Sequence, residues 1–151
     1  MRRFQFRLQK VIEARRFKEE IAKKNLAMAQ IALNEELQRL ERLEALYGDA
    51  MLQMEAHMEG QVNVADVLLY IAYISSLSEQ ISGQQHKIAQ CAEEVEHKRH
   101  MLVEASKDKK MLERIREDRY SAYLQEASRA EQAAMDEIAQ HDRPRYHAIV
   151  Q

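Results

Sequence analysis

The sequence Glu-Gly-Gln-Val-Asn at residues 59–63 is the one break in a chain that otherwise has the pattern of two long helices. Gly60 can adopt the left-handed backbone conformation that ends a helix. Asn63 suits the N-cap of a second helix, and Asp66 lies in its first turn, where the helix dipole favours a negative charge. A connection of about four residues is what an antiparallel helical hairpin requires. This segment therefore predicts that the chain folds back on itself.

The composition supports long helices on both sides of this break. Alanine, glutamate, lysine, leucine and arginine account for about half of the 151 residues, a proportion typical of long helices and coiled coils. A sheet protein would need a turn every 8–12 residues or so, which three glycines and one proline do not supply. The 46% share of hydrophobic residues also excludes a disordered tail.

A heptad spacing of apolar residues runs through both segments. In the first segment, eleven of the fifteen seam positions between residues 8 and 57 are apolar, including Leu8 and Ile12. We expect the second seam at Val67, Ile71, Ile74, Ser78, Ile81, Gln85, Ile88, Ala92, Val95, Arg99 and Leu102. Sustained over this length, the spacing predicts a coiled coil.

The predicted fold class is all-α, with two long helices forming an antiparallel coiled-coil hairpin. We expect a single domain over residues 1–141, with helix 1 at about 4–58, the turn at 59–63 and helix 2 at about 64–140. Pro144 marks the end of the second helix, and residues 142–151 are expected to form a loose tail. The helices would be roughly 80 Å and 115 Å long, so the second overhangs the first.

The charges are unevenly placed, although the formal net charge of −2 argues for neither nucleic-acid nor membrane binding. Residues 1–24 carry nine basic and three acidic side chains, and residues 98–119 carry eight and five. Residues 35–59 carry two basic and seven acidic side chains. A hairpin brings the first two segments together, so we expect one basic and one acidic end. The N-terminal basic cluster consists of Arg2, Arg3, Arg7, Lys10, Arg15 and Arg16.

A second apolar stripe lies outside the predicted seam, near the turn. Its members on the second helix are Tyr70, Tyr73 and Leu77, spaced three and four residues apart. On the first helix Leu46 stands beside the seam position Tyr47, at nearly the same height in an antiparallel hairpin. A two-stranded coiled coil cannot bury both stripes, so these residues are a candidate docking surface. The alternative is that the stripe widens the helix interface or that a tyrosine ring lies flat on a neighbour.

The sequence offers no combination of residues typical of a catalytic, cofactor or metal site. Three scattered glycines exclude a phosphate-binding loop. Glu94 and His97 form one Glu-x-x-His motif, whereas a di-iron bundle site needs two such motifs and further glutamates. Cys91 is the only cysteine, so no internal disulfide is possible and a reducing compartment is expected. We expect no enzyme, cofactor or metal, and a cytoplasmic protein with neither signal peptide nor transmembrane segment.

Five segments occur in a recognisable order around the central glycine. They are RFQFRLQKVI at residues 3–12, EEIA at 19–22, YIAYI at 70–74, LVEASKDKKMLE at 102–113 and EQAAMDEIA at 131–139. Together they resemble the flagellar FliJ family, the soluble coiled-coil component of the flagellar type III export apparatus. The resemblance covers about residues 2–140.

The resemblance implies a non-enzymatic stalk similar to the central stalk subunit of rotary ATPases. Its terminal end would enter the pore of the hexameric export ATPase FliI, which is held by FliH. Its other end would reach toward the export gate protein FlhA. The protein would also escort export chaperones of late substrates, and it would associate with the inner membrane at the flagellar base only through its partners.

The resemblance also assigns roles to the two surfaces described above. The N-terminal basic cluster would engage acidic loops of the ATPase ring, and Leu46, Tyr70, Tyr73 and Leu77 would contact the export gate. The alternative for the basic cluster is that its charges simply solvate a helix end. Two other functions remain open: a self-associating structural coiled coil, and the equivalent stalk of a virulence-type secretion injectisome.

Overall fold

The computed structural model describes residues 3–141, which form an all-α helical hairpin as the sequence predicts. Helix α1 spans Gln9–Met58 and helix α2 spans Val64–His141, so the second helix is longer, with 78 residues against 50. The described part of the chain contains no strand. The predicted C-terminal tail, with Pro144, and Arg2 of the N-terminal basic cluster lie outside the described residues.

Helix α1 begins at Gln9, five residues later than the predicted start at about residue 4. The backbone N–H of Gln9 donates to the carbonyl of Phe6 at 3.1 Å, and that of Ile12 donates to Leu8 at 3.0 Å. The first turn of α1 contains no acidic residue, and the residues before it include Arg3 and Arg7. Positive charge at a helix N-terminus opposes the helix dipole, which disfavours an earlier start.

The turn between the helices follows the predicted chemistry. Gly60 has a φ of +94°, in the left-handed region that glycine adopts without a steric cost. The side-chain oxygen of Asn63 accepts a hydrogen bond from the backbone N–H of Ala65 at 3.1 Å, which caps the start of α2. Asp66 occupies the first turn of α2, where the dipole stabilises its charge.

The helices contribute to two compact units, formed by residues 18–105 and, in the described part, by residues 3–17 with 106–141. In the unit of residues 18–105 the two helices run antiparallel, since Glu36 of α1 contacts Gln84 of α2 and Gln53 of α1 contacts Tyr70 of α2. The α1 seam in this unit lies where it was predicted. Every predicted position from Glu19 to Met54 is buried or half-buried.

The seam on α2 differs from the prediction at every second position except Ala92, which is half-buried like its neighbour Cys91. The shared positions 67, 74, 81, 88, 95 and 102 are buried or half-buried, but the positions between them are Tyr70, Leu77, Gln84, Cys91 and Lys98. The predicted members Ile71, Ser78, Gln85 and Arg99 are exposed. Leu77 is only 2% exposed, so the prediction that it lies outside the seam is wrong. Burying Leu77 instead of Ser78 removes more apolar surface from water, which favours the observed rotation of the helix.

A polar contact crosses the interface within this unit. Gln84 is 4% exposed, and its side-chain amide donates to the backbone carbonyl of Glu36 at 2.9 Å and to the Glu36 carboxylate. The hydrogen bond from Gln84 lowers the pKa of the Glu36 carboxyl, assisted by the charges of Arg39 and Lys87 and opposed by desolvation. Because both residues occupy seam positions, the contact specifies one register of the two helices.

The second unit is held by one fully buried aliphatic residue and by two ion pairs. Ile12 of α1 has 0% exposure, so its side chain is fully enclosed in this unit. Arg15 Nη1 lies 2.9 Å from Asp108 Oδ2, and Arg16 Nη2 lies 2.8 Å from Glu113 Oε1. Within this unit the two pairs join α1 to α2. Beyond them α2 continues, and residues 128–141 are all exposed.

Candidate partner-binding surfaces

Two residues of the N-terminal basic cluster have intramolecular partners. Arg15 donates to Asp108, and Arg16 donates to Glu113 Oε1 from both Nε, at 3.1 Å, and Nη2, at 2.8 Å. The hydrogen bonds from Arg16 are the largest influence lowering the pKa of the Glu113 carboxyl, against desolvation. Arg15 and Arg16 therefore stabilise the hairpin itself, a role that the sequence did not predict.

The other described members of the cluster are exposed. Within residues 3–141, Arg3, Arg7 and Lys10 form no ion pair. Arg7 and Lys10 line an open groove together with Arg116 of α2. Glu13 and Glu117 also border this groove, but three cations against two carboxylates leave it net positive. This groove therefore presents a net positive surface between the start of α1 and the facing part of α2.

An aromatic cluster holds the segment before α1 against α2. The ring of Phe4 packs edge-on against Tyr120, with centroids 5.1 Å apart, and lies 5.5 Å from the ring of Tyr123. Such contacts stabilise an aromatic pair by about 0.5–1.5 kcal/mol beyond the area they bury. This anchor fixes the position of Arg3 and Arg7 beside it. Sequence reasoning missed it, although Tyr120 and Tyr123 are three residues apart and face the region of Phe4 in an antiparallel register.

The four residues of the predicted gate surface lie in two different environments. Leu77 is buried in the seam, and Tyr70 is half-buried there, with its hydroxyl donating to the Gln53 side chain at 3.1 Å. The Tyr70 ring also lies 5.1 Å from that of His57. Leu46 and Tyr73 are each 45% exposed. Only Leu46 and Tyr73 therefore present a substantial apolar surface to a partner.

The seam has two flanks near the turn. With Tyr47, Met54, Val67 and Ile74 as heptad positions a, both Leu46 and Tyr73 occupy positions g. The Tyr73 flank is bordered by a groove that His57, Asp66, Leu69 and Tyr70 line with Tyr73. The Ile71 flank has a separate groove, lined by Tyr47, Met51, Met54, Ile71, Ile74, Ser75, Ser78 and Glu79.

The first three turns of α2 carry more apolar surface than one facing helix covers. Ten of the eleven residues from Val64 to Ile74 are apolar, so apolar side chains occur on every face of this part of the helix. Val64, Leu68, Leu69 and Ile71 are exposed as a result. A helix that is apolar all round is ordinarily buried on all sides. This apolar run is the sequence signal for the surface, and seam positions alone do not reveal it.

No metal-binding group is formed in the described residues. Groups of three or more His, Cys, Asp and Glu side chains that could hold an ion do not occur in residues 3–141. The Glu94 carboxylate of the single Glu-x-x-His motif lies 3.1 Å from Lys98 Nζ. Cys91 is a free, half-buried thiol at a seam position.

Comparison with known proteins identifies the family. The family model described as the flagellar FliJ protein matches residues 4–144. The chain belongs to the flagellar FliJ family. This family consists of structural and export-related proteins rather than enzymes. Within the FliJ match lie both flanks of the seam, the aromatic cluster and all described members of the basic cluster except Arg3.

This FliJ family chain was also compared with solved structures and with curated proteins. A solved structure of a YscO homologue from Chlamydia trachomatis is similar to it, with 18% sequence identity and a TM-score of 0.48. The similarity covers 98% of this chain and 100% of the other. A search of curated proteins gave no match.

Proposed function

We propose that this protein is the non-enzymatic stalk of the flagellar type III export apparatus, binding the export ATPase ring and linking it to the export gate. The observation that carries the proposal is the family match over residues 4–144. The ring partner would be the FliI hexamer with FliH, and the gate partner FlhA. The protein would also escort export chaperones of late substrates, and only its membership of the family supports this role.

The ATPase-binding surface is proposed at the N-terminal basic cluster. Arg3, Arg7 and Lys10 have no ion pair among the described residues and would make the direct contacts with acidic loops of the ring. Arg15 and Arg16 are engaged in hairpin ion pairs and would support this surface by holding the helices together. Arg2, next to Arg3 in the sequence, is proposed as part of the same surface. Clustered positive charge would raise the association rate with an acidic partner.

The gate-binding surface is proposed on the Tyr73 flank. Leu46 and Tyr73 would contact FlhA directly, since each is 45% exposed. Tyr70 and Leu77 would position them, because both are held in the seam. Tyrosine is enriched among the residues that dominate the energy of protein interfaces, and Leu46 adds exposed apolar surface at the matching position g of the other helix.

The location proposed for the protein is the cytoplasmic face of the inner membrane, reached through its partners. Neither helix has, within residues 3–141, an apolar stretch sufficient to cross a membrane. Association through FliH and FlhA would place the chain at the flagellar base.

The test compares charge reversal at two places on the same helix. Arg7→Glu with Lys10→Glu should weaken binding to purified FliI by at least about tenfold and abolish stimulation of its ATPase activity. Lys18→Glu with Lys24→Glu reverses two other exposed cations of α1 and should change neither quantity. Equal loss in both double variants would show a dependence on net charge alone. Full binding by the first variant would refute the assignment of the ATPase-binding surface.

A further inference from the structure

The Ile71 flank carries an apolar stripe on both helices beside the turn. On α2, Val64, Leu68 and Ile71 are 66%, 59% and 50% exposed, and they follow one another at spacings of four and three residues. On α1, Met51 and Met58 lie four residues after the seam positions Tyr47 and Met54, and Met51 is half-buried whereas Met58 is 54% exposed. The groove between the stripes contains Ile71, Ile74 and both Met51 and Met54.

The heptad positions of these residues indicate that a third helix belongs here. With the a positions defined above, Met51, Met58, Val64 and Ile71 all occupy positions e. A two-stranded coiled coil uses a narrow a/d seam, whereas apolar residues at a, d and e are typical of a helix packed against more than one neighbour. The described residues provide one neighbour for each helix, so Met58, Val64 and Ile71 are left exposed and Met51 is only half-buried.

The charge around the groove specifies what that third helix would be. No lysine or arginine occurs between Arg42 and Lys87, while this interval contains six carboxylates. They are Glu44, Asp49, Glu55, Glu59, Asp66 and Glu79. Glu79 lines the groove itself, and Glu44 and Glu55 take heptad positions e and b on the same flank of α1. An apolar groove with a purely acidic border is complementary to an apolar stripe with a basic border.

We infer that the Ile71 flank binds a basic amphipathic α-helix of a partner protein, with the apolar face of that helix in the groove and its Lys or Arg side chains on Glu55 and Glu79. Methionine side chains adapt to the shape of a docked helix. Ser75 and Ser78 have short side chains, which leave room for a docked helix along one wall of the groove. The inference is independent of the proposed ring and gate contacts, because the proposed gate surface lies on the Tyr73 flank.

Charge also disfavours two other occupants. A second copy of the chain would bring the same acidic border against itself, and like charges repel at close range. A membrane surface rich in anionic lipid would be repelled in the same way. Self-association and lipid binding are therefore the competing outcomes in the experiment.

The probe is a designed, fluorescently labelled helical peptide of about five turns, with leucines along one face and lysines along both borders. Binding to the full chain is measured by fluorescence anisotropy at low and high salt. Leu68→Ser with Ile71→Ser should weaken binding at least about tenfold, and so should Glu55→Lys with Glu79→Lys. Leu69→Ser with Tyr73→Ser on the other flank is the matched control and should leave peptide affinity unchanged. Circular dichroism checks that every variant keeps its helix content.

Several results would overturn the inference. A peptide with glutamates in place of its lysines should bind at least about tenfold more weakly; equal binding would exclude recognition by charge. No binding of the lysine peptide up to roughly millimolar concentration would exclude the site altogether. Sedimentation of the unliganded chain as a dimer that Leu68→Ser with Ile71→Ser dissociates would assign the flank to a second copy. Flotation with anionic vesicles that these substitutions abolish would assign it to lipid.

Discussion

Replacing Leu77 by alanine should destabilise the hairpin more than replacing Ile71, although both are branched aliphatic residues of the same helix segment. Leu77 is 2% exposed, whereas Ile71 is 50% exposed. Removing three carbons from a buried side chain costs about 0.8 kcal/mol each, or about 2.4 kcal/mol for Leu77→Ala. The cost for Ile71→Ala should be about 1 kcal/mol, because half of that side chain already contacts water and alanine favours helix.

The comparison is made by urea denaturation followed by circular dichroism at 222 nm on the full chain. The observed seam predicts that the free energy of unfolding falls further in the Leu77 variant, by about 1 kcal/mol or more relative to the Ile71 variant. Sedimentation of both variants at the working concentration controls for a change in association. A larger loss for Ile71→Ala would mean that Ile71 is the seam residue and would refute the helix rotation described above.

Three further predictions concern the turn, the helix glycines and acid stability. Gly48→Ala and Gly83→Ala should each raise the free energy of unfolding by about 1 kcal/mol, since both lie within helices with no atom within 4 Å of an added Cβ. Gly60→Ala should lower it by about 1 kcal/mol, because its φ of +94° is strained for alanine. The pKa values of Glu36 and Glu113 in the folded state lie below the usual 4.5. Their charged forms therefore contribute to the free energy of unfolding above that pH, and this contribution is lost as pH falls through the lowered pKa values. Denaturation measured between neutral and acid pH should show this loss, and Glu36→Gln with Glu113→Gln should reduce it.

The parts of the fold that depend on local chemistry could be predicted from sequence. Gly60 and Asn63 each act through backbone groups within a few residues, so their sequence is sufficient. The α1 seam was also predictable, because its spacing is consistent over many turns. On α2 the predicted seam and the observed seam share every second position, and at the positions between them they differ by one residue. Choosing between Leu77 and Ser78 required weighing the apolar area buried, which would have favoured Leu77.

Features that depend on contacts between residues far apart in the sequence were harder to predict from the sequence. The late start of α1 accompanies the packing of Phe4 on Tyr120, a residue more than a hundred positions away. The pairing of Arg16 with Glu113 likewise depends on the register of the two helices. Sequence alone showed these arginines as one basic group. Their separation into paired and unpaired members required the facing helix.

The most direct test of the proposed function is a bridging experiment. The cytoplasmic domain of FlhA is immobilised, and FliI is passed over it with or without this protein. We expect FliI to be retained only when the chain is present. Retention should be lost with the double substitution Arg7→Glu and Lys10→Glu, and equally with Leu46→Ser and Tyr73→Ser. Failure of the wild-type chain to retain FliI, when each component is shown to be folded, would contradict a stalk that links the ATPase to the gate.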